Sequence, residues 1–513
     1  MHPSSLLALI AALPPALTQQ TPDETVLGVY IFHRHGDRTP KVLAPTNLTD
    51  LGYRQTYQSG QYYRSRYIAS DADYRIAGVT SDEVLQSQIS VLAPDDDVLQ
   101  QSAVAFLQAL YPPVGVDSET LANGSTVDAP MNGYQIIPVG QSETGAGSED
   151  ASWLQRTSEC GQAVISSNEY YASAEYNALL DSTREFYERL APVISLVFDE
   201  EDRNFDNAYT SPPSPSPKHN YQQADNTSTV YDYINVATIH NTSIPSSTLL
   251  NSDVLLQLRT LADNHEWNLA YNRTTPIRAI SGSQLAGEIT QYLNSTISAA
   301  DSLEGPKIGV QFGAYATFMS FFGLADLDEV DEDFTGVTDY ASSMVFEMFT
   351  NASSTAVTSA NYPSENDIFV RFLYHNGTAS NKSQPEAYPL FGSGQNELRW
   401  SDFMDGMNGF SIGDAETWCH ACGNTTGSCA AYAPVDASPS PTDSRSDVSG
   451  GCSNGVSPAV NGVIGAMVTL AVVLGIEGLI MLVGGFRVVK KRSLASGGGA
   501  GPDAAAMGGE GKA

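Results

Sequence analysis

The chain has 513 residues, 42% of them hydrophobic, and a formal net charge of −33 from 25 basic and 58 acidic residues. This length suffices for one large domain or two ordinary ones. So acidic a chain repels polyanions, which argues against nucleic acid as a partner and disfavours a highly phosphorylated substrate.

The N-terminus opens with an apolar block over residues 5–17, and polar residues follow from Thr18. This pattern is typical of a secretory signal peptide, which we assign to residues 1–18, and it predicts an exported ectodomain over residues 19–430. His2 is the only basic side chain before the block, so the basic region usual in such signals is weak. The alternative is a plain apolar N-terminus.

An apolar run over residues 26–32 predicts a buried strand, and the heptapeptide RHGDRTP (residues 34–40) follows it directly. The glycine and proline of the heptapeptide predict a turn. Its guanidiniums, Arg34 and Arg38, flank His35, and arginine is well suited to bidentate capture of phosphate. A histidine between two such groups can attack phosphorus, so this motif predicts phosphoryl chemistry.

Hydrophobic periodicity predicts several helices and one further strand after the motif. The predicted helices cover residues 53–67, 98–110, 175–190, 250–261, 283–293 and 316–324. The strand covers residues 307–312 and is separated from the last helix by Gly313. Two segments rich in small or turn-forming residues, 115–160 and 211–217, predict loops.

The five cysteines are Cys160, Cys419, Cys422, Cys429 and Cys452. In an exported chain they are first interpreted as disulfides, whose pairing the sequence leaves open. Because five is odd, one is unpaired or links two chains, and Cys452 is the best candidate. Cys419-x-x-Cys422 beside His420 could suggest zinc, but there is no second such pair; we expect no metal and no cofactor.

Residues 463–486 are almost wholly apolar, and these 24 residues exceed the roughly 20 that span a bilayer. A basic cluster follows directly and predicts a cytosolic tail over residues 487–513. The chain is therefore predicted to be a single-pass type I membrane protein that contacts the lipid bilayer. A GPI-anchor signal is the main alternative, and the basic cluster and tail argue against it. Glu477 inside the span either marks a partner helix or is tolerated, so the oligomeric state stays open.

Ten N-x-S/T sequons precede the apolar segment and none follows it. They predict a glycosylated ectodomain that faces the extracellular or lumenal side. Residues 431–462 are rich in Ser, Pro and Gly and predict a stalk, and the Gly/Ala-rich tail predicts disorder. The sequons are at Asn47, Asn123, Asn226, Asn241, Asn272, Asn294, Asn351, Asn376, Asn381 and Asn424.

The motif RHGDRTP, together with residues 48–67 (LTDLGYRQTYQSGQYYRSRY) and 100–113 (QQSAVAFLQALYPP), resembles the histidine acid phosphatases. These form branch 2 of the histidine phosphatase superfamily, which includes acid phosphatases and fungal phytases. The resemblance covers residues 26–324 and, less clearly, the chain up to Cys429. It implies an α/β fold with a mixed central sheet and an inserted helical cap, here over residues 113–290.

The resemblance also implies roles for the motif residues. His35 would be the nucleophile that forms a phosphohistidine, which water then hydrolyses. Arg34 and Arg38 would bind the phosphoryl oxygens of a phosphomonoester. No metal takes part in this reaction.

Three positions depart from the family pattern. A third arginine is expected at Val98, and a His-Asp pair, whose aspartate protonates the leaving alcohol, is expected at Ala314 and Tyr315. Losing a positioned general acid costs about 10²–10⁴ in rate, and losing one electrostatic donor about 10²–10³. We therefore expect weak or absent catalysis. The alternatives are an active acid phosphatase with a substitute proton donor and a non-catalytic binding or structural protein.

Tyr315 and the dipeptide His265-Glu266 are the two candidates to replace the missing proton donor. Tyr315 carries a proton, but the reference pKa of a phenol near 10 makes it a reluctant donor. His265-Glu266 is the only other His-acid dipeptide of the sequence, and we interpret it as an ordinary structural pair outside the pocket. His33 is expected to pack rather than to catalyse.

Overall fold

The computed structural model describes residues 24–43, 45–142, 160–195, 197–198, 203, 230–240, 248–300, 304–354 and 357–433. The predicted signal peptide, nearly all of the stalk, the apolar segment 463–486 and the tail lie outside these residues. Among the residues described, no helix has the length and apolar character needed to cross a bilayer.

A mixed sheet forms the centre of the described chain, in the strand order β10-β8-β7-β1-β6-β2-β5, with β9 beside β8 and β3–β4 as a separate hairpin. Strand β1 pairs in parallel with β6 and antiparallel with β7, which confirms the predicted mixed α/β fold. The described strands are β1 (Thr25–Arg34), β2 (Ile89–Ala93), β3 (Ser118–Thr120), β4 (Thr126–Asp128), β5 (Gly140–Gln141), β6 (Ile308–Gly313), β7 (Ser343–Thr350), β8 (Ile368–His375), β9 (Glu386–Tyr388) and β10 (Glu397–Arg399).

Helices cover both faces of the sheet and also form a group of their own between residues 160 and 270. The described helices are α1 (Asp50–Tyr67), α2 (Asp97–Leu110), α3 (Pro130–Gly133), α4 (Gly161–Tyr171), α5 (Ala174–Ser182), α6 (Arg184–Arg189), α7 (Ala191–Ile194), α8 (Val230–His240), α9 (Ser252–Ala270), α10 (Ile280–Ser298), α11 (Tyr315–Leu324), α12 (Trp400–Asn408) and α13 (Ala415–Cys422).

Most predicted elements are confirmed, but the helix predicted over residues 175–190 is wrong as a single element. It is divided at Thr183, where α5 ends and α6 begins. The hydroxyl of Thr183 donates a hydrogen bond to the Leu179 carbonyl at 2.7 Å. A threonine that bonds back to the preceding turn in this way often bends a helix.

Strand β1 is buried along its whole length, as expected for a central strand covered on both faces. Phe32 points into the layer of α10 and α11, where its ring lies 4.9 Å from that of Phe318. Ile31 points into the opposite layer, with Tyr63 of α1 and Phe106 of α2. The two helical layers therefore fix the strand from which the motif emerges.

Helices α1 and α2 pack closely against each other beside the motif. Thr49 caps α1 by accepting a hydrogen bond from the Gly52 amide at 3.1 Å, and Asp96 caps α2 by accepting one from the Leu99 amide at 2.9 Å. At Gly60 an added Cβ would lie 2.2 Å from the Phe106 carbonyl oxygen. Only glycine permits this close approach of the two helices.

The described helices between residues 160 and 270 have a separate hydrophobic core, and we call this group the cap; the inserted cap expected over residues 113–290 stays a prediction. Two disulfides, Cys160–Cys422 and Cys419–Cys429, resolve the pairing that the sequence left open. Cys452 lies outside the described residues. The cap core contains Tyr170, Tyr176, Tyr187, Leu190, Ile194, Phe198, Val230, Ile234 and Leu258.

Candidate active site

The RHGDRTP motif begins at the carboxyl end of β1, where Arg34 lies opposite Gly313 of the parallel strand β6. In open α/β sheets, ligands bind at this edge. The turn packs directly on the start of α1, since an added Cβ at Gly36 would lie 2.3 Å from the Gly52 carbonyl oxygen. The Gly36 amide also donates to the Ser102 hydroxyl of α2 at 3.2 Å.

His35 is completely buried, with 0% of its surface exposed. Its Nδ1 lies 2.8 Å from the Gly36 carbonyl oxygen. Because a carbonyl can only accept, Nδ1 carries the proton, and Nε2 of the neutral ring then holds the lone pair that a nucleophile needs. The Tyr340 ring covers the imidazole at a centroid distance of 5.5 Å.

Arg34 is also buried and lies between two aromatic rings. Its guanidinium carbon is 4.6 Å from the Tyr340 ring centroid and 5.3 Å from that of Tyr315. Its Nη1 donates to the carbonyl oxygen of Thr338. Cation–π contacts and this hydrogen bond hold the guanidinium against the Tyr340 ring, which the His35 imidazole also contacts.

Arg38 forms a buried ion pair with a residue of the cap. Its Nη1 lies 2.9 Å from Asp232 Oδ1, and the two side chains are 0% and 1% exposed. The second oxygen of Asp232 accepts a hydrogen bond from the Lys41 amide, also at 2.9 Å. Helix α8 therefore supplies a carboxylate to the motif.

A second contact joins α8 to the motif at Asp37. The Nε2 of His240, the last residue of α8, bonds to Asp37 Oδ1. The Thr49 hydroxyl donates to the same oxygen at 2.5 Å. The buried Asp37 carboxylate thus links the motif to both α1 and the cap.

Ala314 and Tyr315 lie directly after β6, at the start of α11, and both are buried. Ala314 presents no polar side chain to the site. The Tyr315 hydroxyl donates to Glu266 Oε2 of α9 at 2.9 Å, and the Glu266 side chain is only 3% exposed. The Lys41 ammonium lies 5.6 Å from the Tyr315 ring centroid.

Val98 is buried in the first turn of α2, one helical turn before Ser102 and on the same side of the helix. Since Ser102 contacts the motif, Val98 faces that region with an apolar side chain. The place at which the family resemblance implies a third arginine therefore holds no cation.

A cavity of about 380 Å³ adjoins Arg34 and Tyr340. Its wall includes Arg259, whose Nη1 lies 2.8 Å from Asp339 Oδ1 and whose Nε lies 3.6 Å from Asp263 Oδ2. Burial raises the pKa of Asp263 to about 6, against the opposing effects of the Val337 amide and Arg259. The carboxylates of Asp339 and Asp263 therefore lie against Arg259, the second cation beside this cavity after Arg34.

The sequence profile of the histidine phosphatase superfamily (branch 2) matches residues 42–375, well over half of the chain. The chain belongs to this family. The mixed α/β fold agrees with that assignment, and the recognition made from the sequence is confirmed.

Among curated relatives of this histidine phosphatase, human prostatic acid phosphatase is 24% identical over 71% of this chain and 79% of its own. Lysosomal acid phosphatase of Xenopus laevis is also 24% identical, over 67% of this chain and 71% of its own. Among solved structures, the apo form of Hafnia alvei phytase aligns with a TM-score of 0.46 at 13% identity, covering 79% of this chain and 99% of that one.

Within the histidine phosphatase fold, the structure brings Arg34, His35, Arg38 and Tyr315 together, as the sequence predicts. Sequence reasoning missed Asp232 and Tyr340, which belong to distant segments. A signal for Asp232 existed, because an acid lies in the largely apolar and aromatic stretch VYDYINV of residues 230–236. A charged residue in such a stretch is rarely buried without a partner.

The interpretation of His265-Glu266 as a pair outside the pocket stays a prediction, but Glu266 contacts Tyr315 of the candidate site. The packing of α9 against α11 brings its carboxylate to Tyr315, which the local sequence could not indicate. His265 is buried among cap tyrosines, with its ring 6.0 Å from that of Tyr170, as a structural residue would be. Glu266 shares an apolar helix face with Leu269, and that unusual position was the available signal.

His33 packs between Phe106 and Phe312, at ring distances of 5.3 and 5.0 Å. Burial lowers the pKa of His33 to about 4, although its hydrogen bond to the Arg34 carbonyl opposes this. The side chain is therefore neutral over the physiological range, which agrees with the expected packing role.

Proposed function

We propose that this chain is a membrane-anchored, glycosylated histidine acid phosphatase-like protein that accepts phosphate or a phosphomonoester weakly at Arg34, His35 and Arg38. Hydrolysis through a phosphohistidine at His35 is slow or lost. The observation that carries this proposal is the ion pair between Arg38 and Asp232, which engages a phosphate-binding arginine with a carboxylate of the chain itself.

The replaced positions support the same conclusion. Val98 and Ala314 are buried and apolar, so neither supplies the cation or the second histidine of the family pattern. If the losses of one general acid and one electrostatic donor are independent, they lower the rate by about 10⁴–10⁷ together. The complete burial of His35 under Tyr340 limits access of a substrate further.

The test is hydrolysis of para-nitrophenyl phosphate by the purified full-length protein in detergent, from acidic to neutral pH. We expect turnover near background, and little change when His35→Ala removes the nucleophile. Binding of inorganic phosphate by calorimetry is expected to be weak and to disappear with Arg34→Gln. Robust turnover that His35→Ala abolishes would refute the proposed impairment.

A second candidate function is an active acid phosphatase in which Glu266 supplies the proton through Tyr315. The hydrogen bond from Tyr315 to Glu266 favours it, since a carboxyl group has entered the site from another helix. When Glu266 is protonated it can donate to the Tyr315 oxygen, and the phenol proton is then available to a leaving alcohol. Glu266→Gln should in that case abolish hydrolysis of alkyl phosphates and spare aryl phosphates, whose leaving groups scarcely need a proton.

The proposed anchoring and glycosylation rest on the sequence, and surface exposure supports the second. Of the eight sequon asparagines that the structure describes, none is buried. Endoglycosidase treatment should lower the apparent mass of the protein expressed in a eukaryotic host. Carbonate extraction of its membranes should leave the full chain, but not a chain truncated before residue 463, in the pellet.

A further inference from the structure

We propose that Asp232 acts as an internal competitor of phosphate, because its carboxylate holds the arginine that a phosphoryl oxygen would have to engage. This inference rests on the proposed phosphate binding and specifies what limits it. Asp232 lies on α8, 194 residues from Arg38 in the chain, so its position is a property of the fold and not of the motif.

The contacts of Asp232 resemble those that a phosphate would make. One oxygen accepts from the Arg38 guanidinium at 2.9 Å and lies 3.5 Å from the Tyr340 hydroxyl. The other oxygen accepts from the Lys41 backbone amide at 2.9 Å. A guanidinium, a hydroxyl and a backbone amide are the usual donors to a phosphate oxygen, and here one carboxylate uses all three.

The surrounding charges explain why phosphate does not readily displace this carboxylate. Three cations and three carboxylates lie around the motif, and of these six residues all except Lys41 are buried. A phosphate anion would therefore enter a site without net positive charge and beside a carboxylate. These groups are Arg34, Arg38 and Lys41, with Asp37, Asp232 and Glu266.

Helix α8 keeps Asp232 in place through a second contact with the motif. Asp232 and His240 are eight residues apart, or about 12 Å along the helix. The first binds Arg38 and the second binds Asp37, so both ends of α8 hold consecutive motif residues. The His240 side chain is 35% exposed. Truncating it should therefore weaken the contact between α8 and the motif without opening a cavity.

The experiment measures binding of inorganic phosphate to the full-length protein by calorimetry and by the phosphate-dependent shift of the unfolding temperature. Asp232→Asn keeps the shape and an acceptor for the Lys41 amide but removes the charge. We expect it to lower the dissociation constant of phosphate about tenfold or more, because the anion then meets the Arg38 guanidinium without the competing charge of Asp232. Adding Arg38→Gln should abolish this gain.

A matched control removes the same charge elsewhere. Asp253 is exposed in the first turn of α9, and Asp253→Asn should leave the dissociation constant unchanged. An equal gain from Asp253→Asn would indicate a general effect of net charge and would overturn the proposal.

A second variant keeps the test decisive if Asp232→Asn fails to fold. His240→Ala removes the contact between α8 and Asp37 without changing the side chains of Arg38 and Asp232, so α8 should position Asp232 less firmly. We expect a smaller increase in phosphate affinity than with Asp232→Asn. Unchanged or weaker binding would contradict competition by α8.

The wild-type titration separates this inference from the proposed function. Equal binding by wild type and Asp232→Asn would refute the competition and leave the proposed phosphate binding intact. Binding by Asp232→Asn alone would support the competition and refute binding by the wild type. If neither binds phosphate, both proposals are wrong.

Discussion

Two clusters of buried charge lie on the same sheet, and they are built differently. In one, Glu347 of β7 lies directly opposite Arg371 of β8, and Arg66 of α1 binds the same carboxylate at 3.0 Å. In the other, the motif arginines meet side chains from the cap helix α8 and from α11. We call the first the strand cluster and the second the motif cluster.

In the strand cluster, the strand ladder itself positions Glu347 opposite Arg371, and α1 adds Arg66. Glu347 accepts from Arg371, from Arg66 and, at 2.7 Å, from the Tyr67 hydroxyl, which satisfies it fully. The motif cluster is matched only after the cap has packed onto the sheet. The strand cluster therefore has the arrangement of a stabilising ion-pair network, whereas in the motif cluster a carboxylate of the cap holds Arg38, one of the two arginines proposed to bind phosphate.

The largest expected effect is the loss of stability in Glu347→Ala. It leaves the buried Arg371 and the partly buried Arg66 without their common partner, and breaking a buried pair in this way costs about 3–5 kcal/mol. Chemical denaturation would measure the loss. Glu397→Ala is the control, since this half-exposed partner of Arg371 should contribute less than about 1 kcal/mol. Equal losses of stability in the two variants would show that the buried Glu347 carboxylate contributes no more than the half-exposed Glu397.

The strand cluster should also make the protein sensitive to acid. Burial alone would raise the pKa of Glu347, but Arg66 and Arg371 outweigh it and lower the pKa from 4.5 to about 2. A lowered pKa in the folded state means stability that is fully present above about pH 4.5 and is lost as the pH falls towards 2. Denaturation curves of wild type should show this loss, and those of Glu347→Gln should lack it.

A smaller effect is expected in the motif cluster from Tyr315→Phe. It removes the hydroxyl that donates to the buried Glu266, and leaving such an acceptor without its donor costs about 1–3 kcal/mol. Tyr53→Phe is a matched control, because the hydroxyl of Tyr53 makes an exposed hydrogen bond to Gln108. If both variants lose the same stability in denaturant, the contact with Glu266 is not a structural link.

The smallest effect concerns Asp263, at the cavity beside the motif cluster. Burial raises its pKa from 3.8 to about 6, so the folded protein holds this proton more tightly than the unfolded chain. The contribution of Asp263 to stability therefore falls as the pH rises from about 4 to about 6. Asp263→Asn should flatten the stability curve in this interval. An unchanged slope would contradict the assignment of this titration to Asp263.

The same contrast shows where sequence reasoning succeeded in the fold. The apolar run before the motif predicted β1, and the segments of residues 53–67 and 98–110 predicted α1 and α2. Strands β7 and β8 received no prediction, since Glu347 and Arg371 interrupt their apolar runs. Each of these charges is compatible with a central strand only because the other lies opposite it.

In the candidate site, the motif itself could be predicted because its residues are adjacent in the chain. The membership of the family followed from that motif and is confirmed by the matching profile. The missed carboxylates, Asp232 and Glu266, lie 194 and 49 residues from their partners Arg38 and Tyr315. Such contacts depend on how the cap helices pack, because a local pattern can mark an acid as buried but cannot name its distant partner.

Read alone, the sequence establishes a histidine flanked by two arginines, and a valine, an alanine and a tyrosine at the positions where the family resemblance predicts an arginine, a histidine and an aspartate, since these are properties of single positions. Whether those guanidiniums can bind an anion depends on how the chain packs around them. Folding carries α8 across the turn and α9 against α11, and the carboxylates that arrive with them neutralise the arginine and bind the tyrosine. The charge that a ligand meets is a sum over neighbours in space, and only the folded chain defines those neighbours.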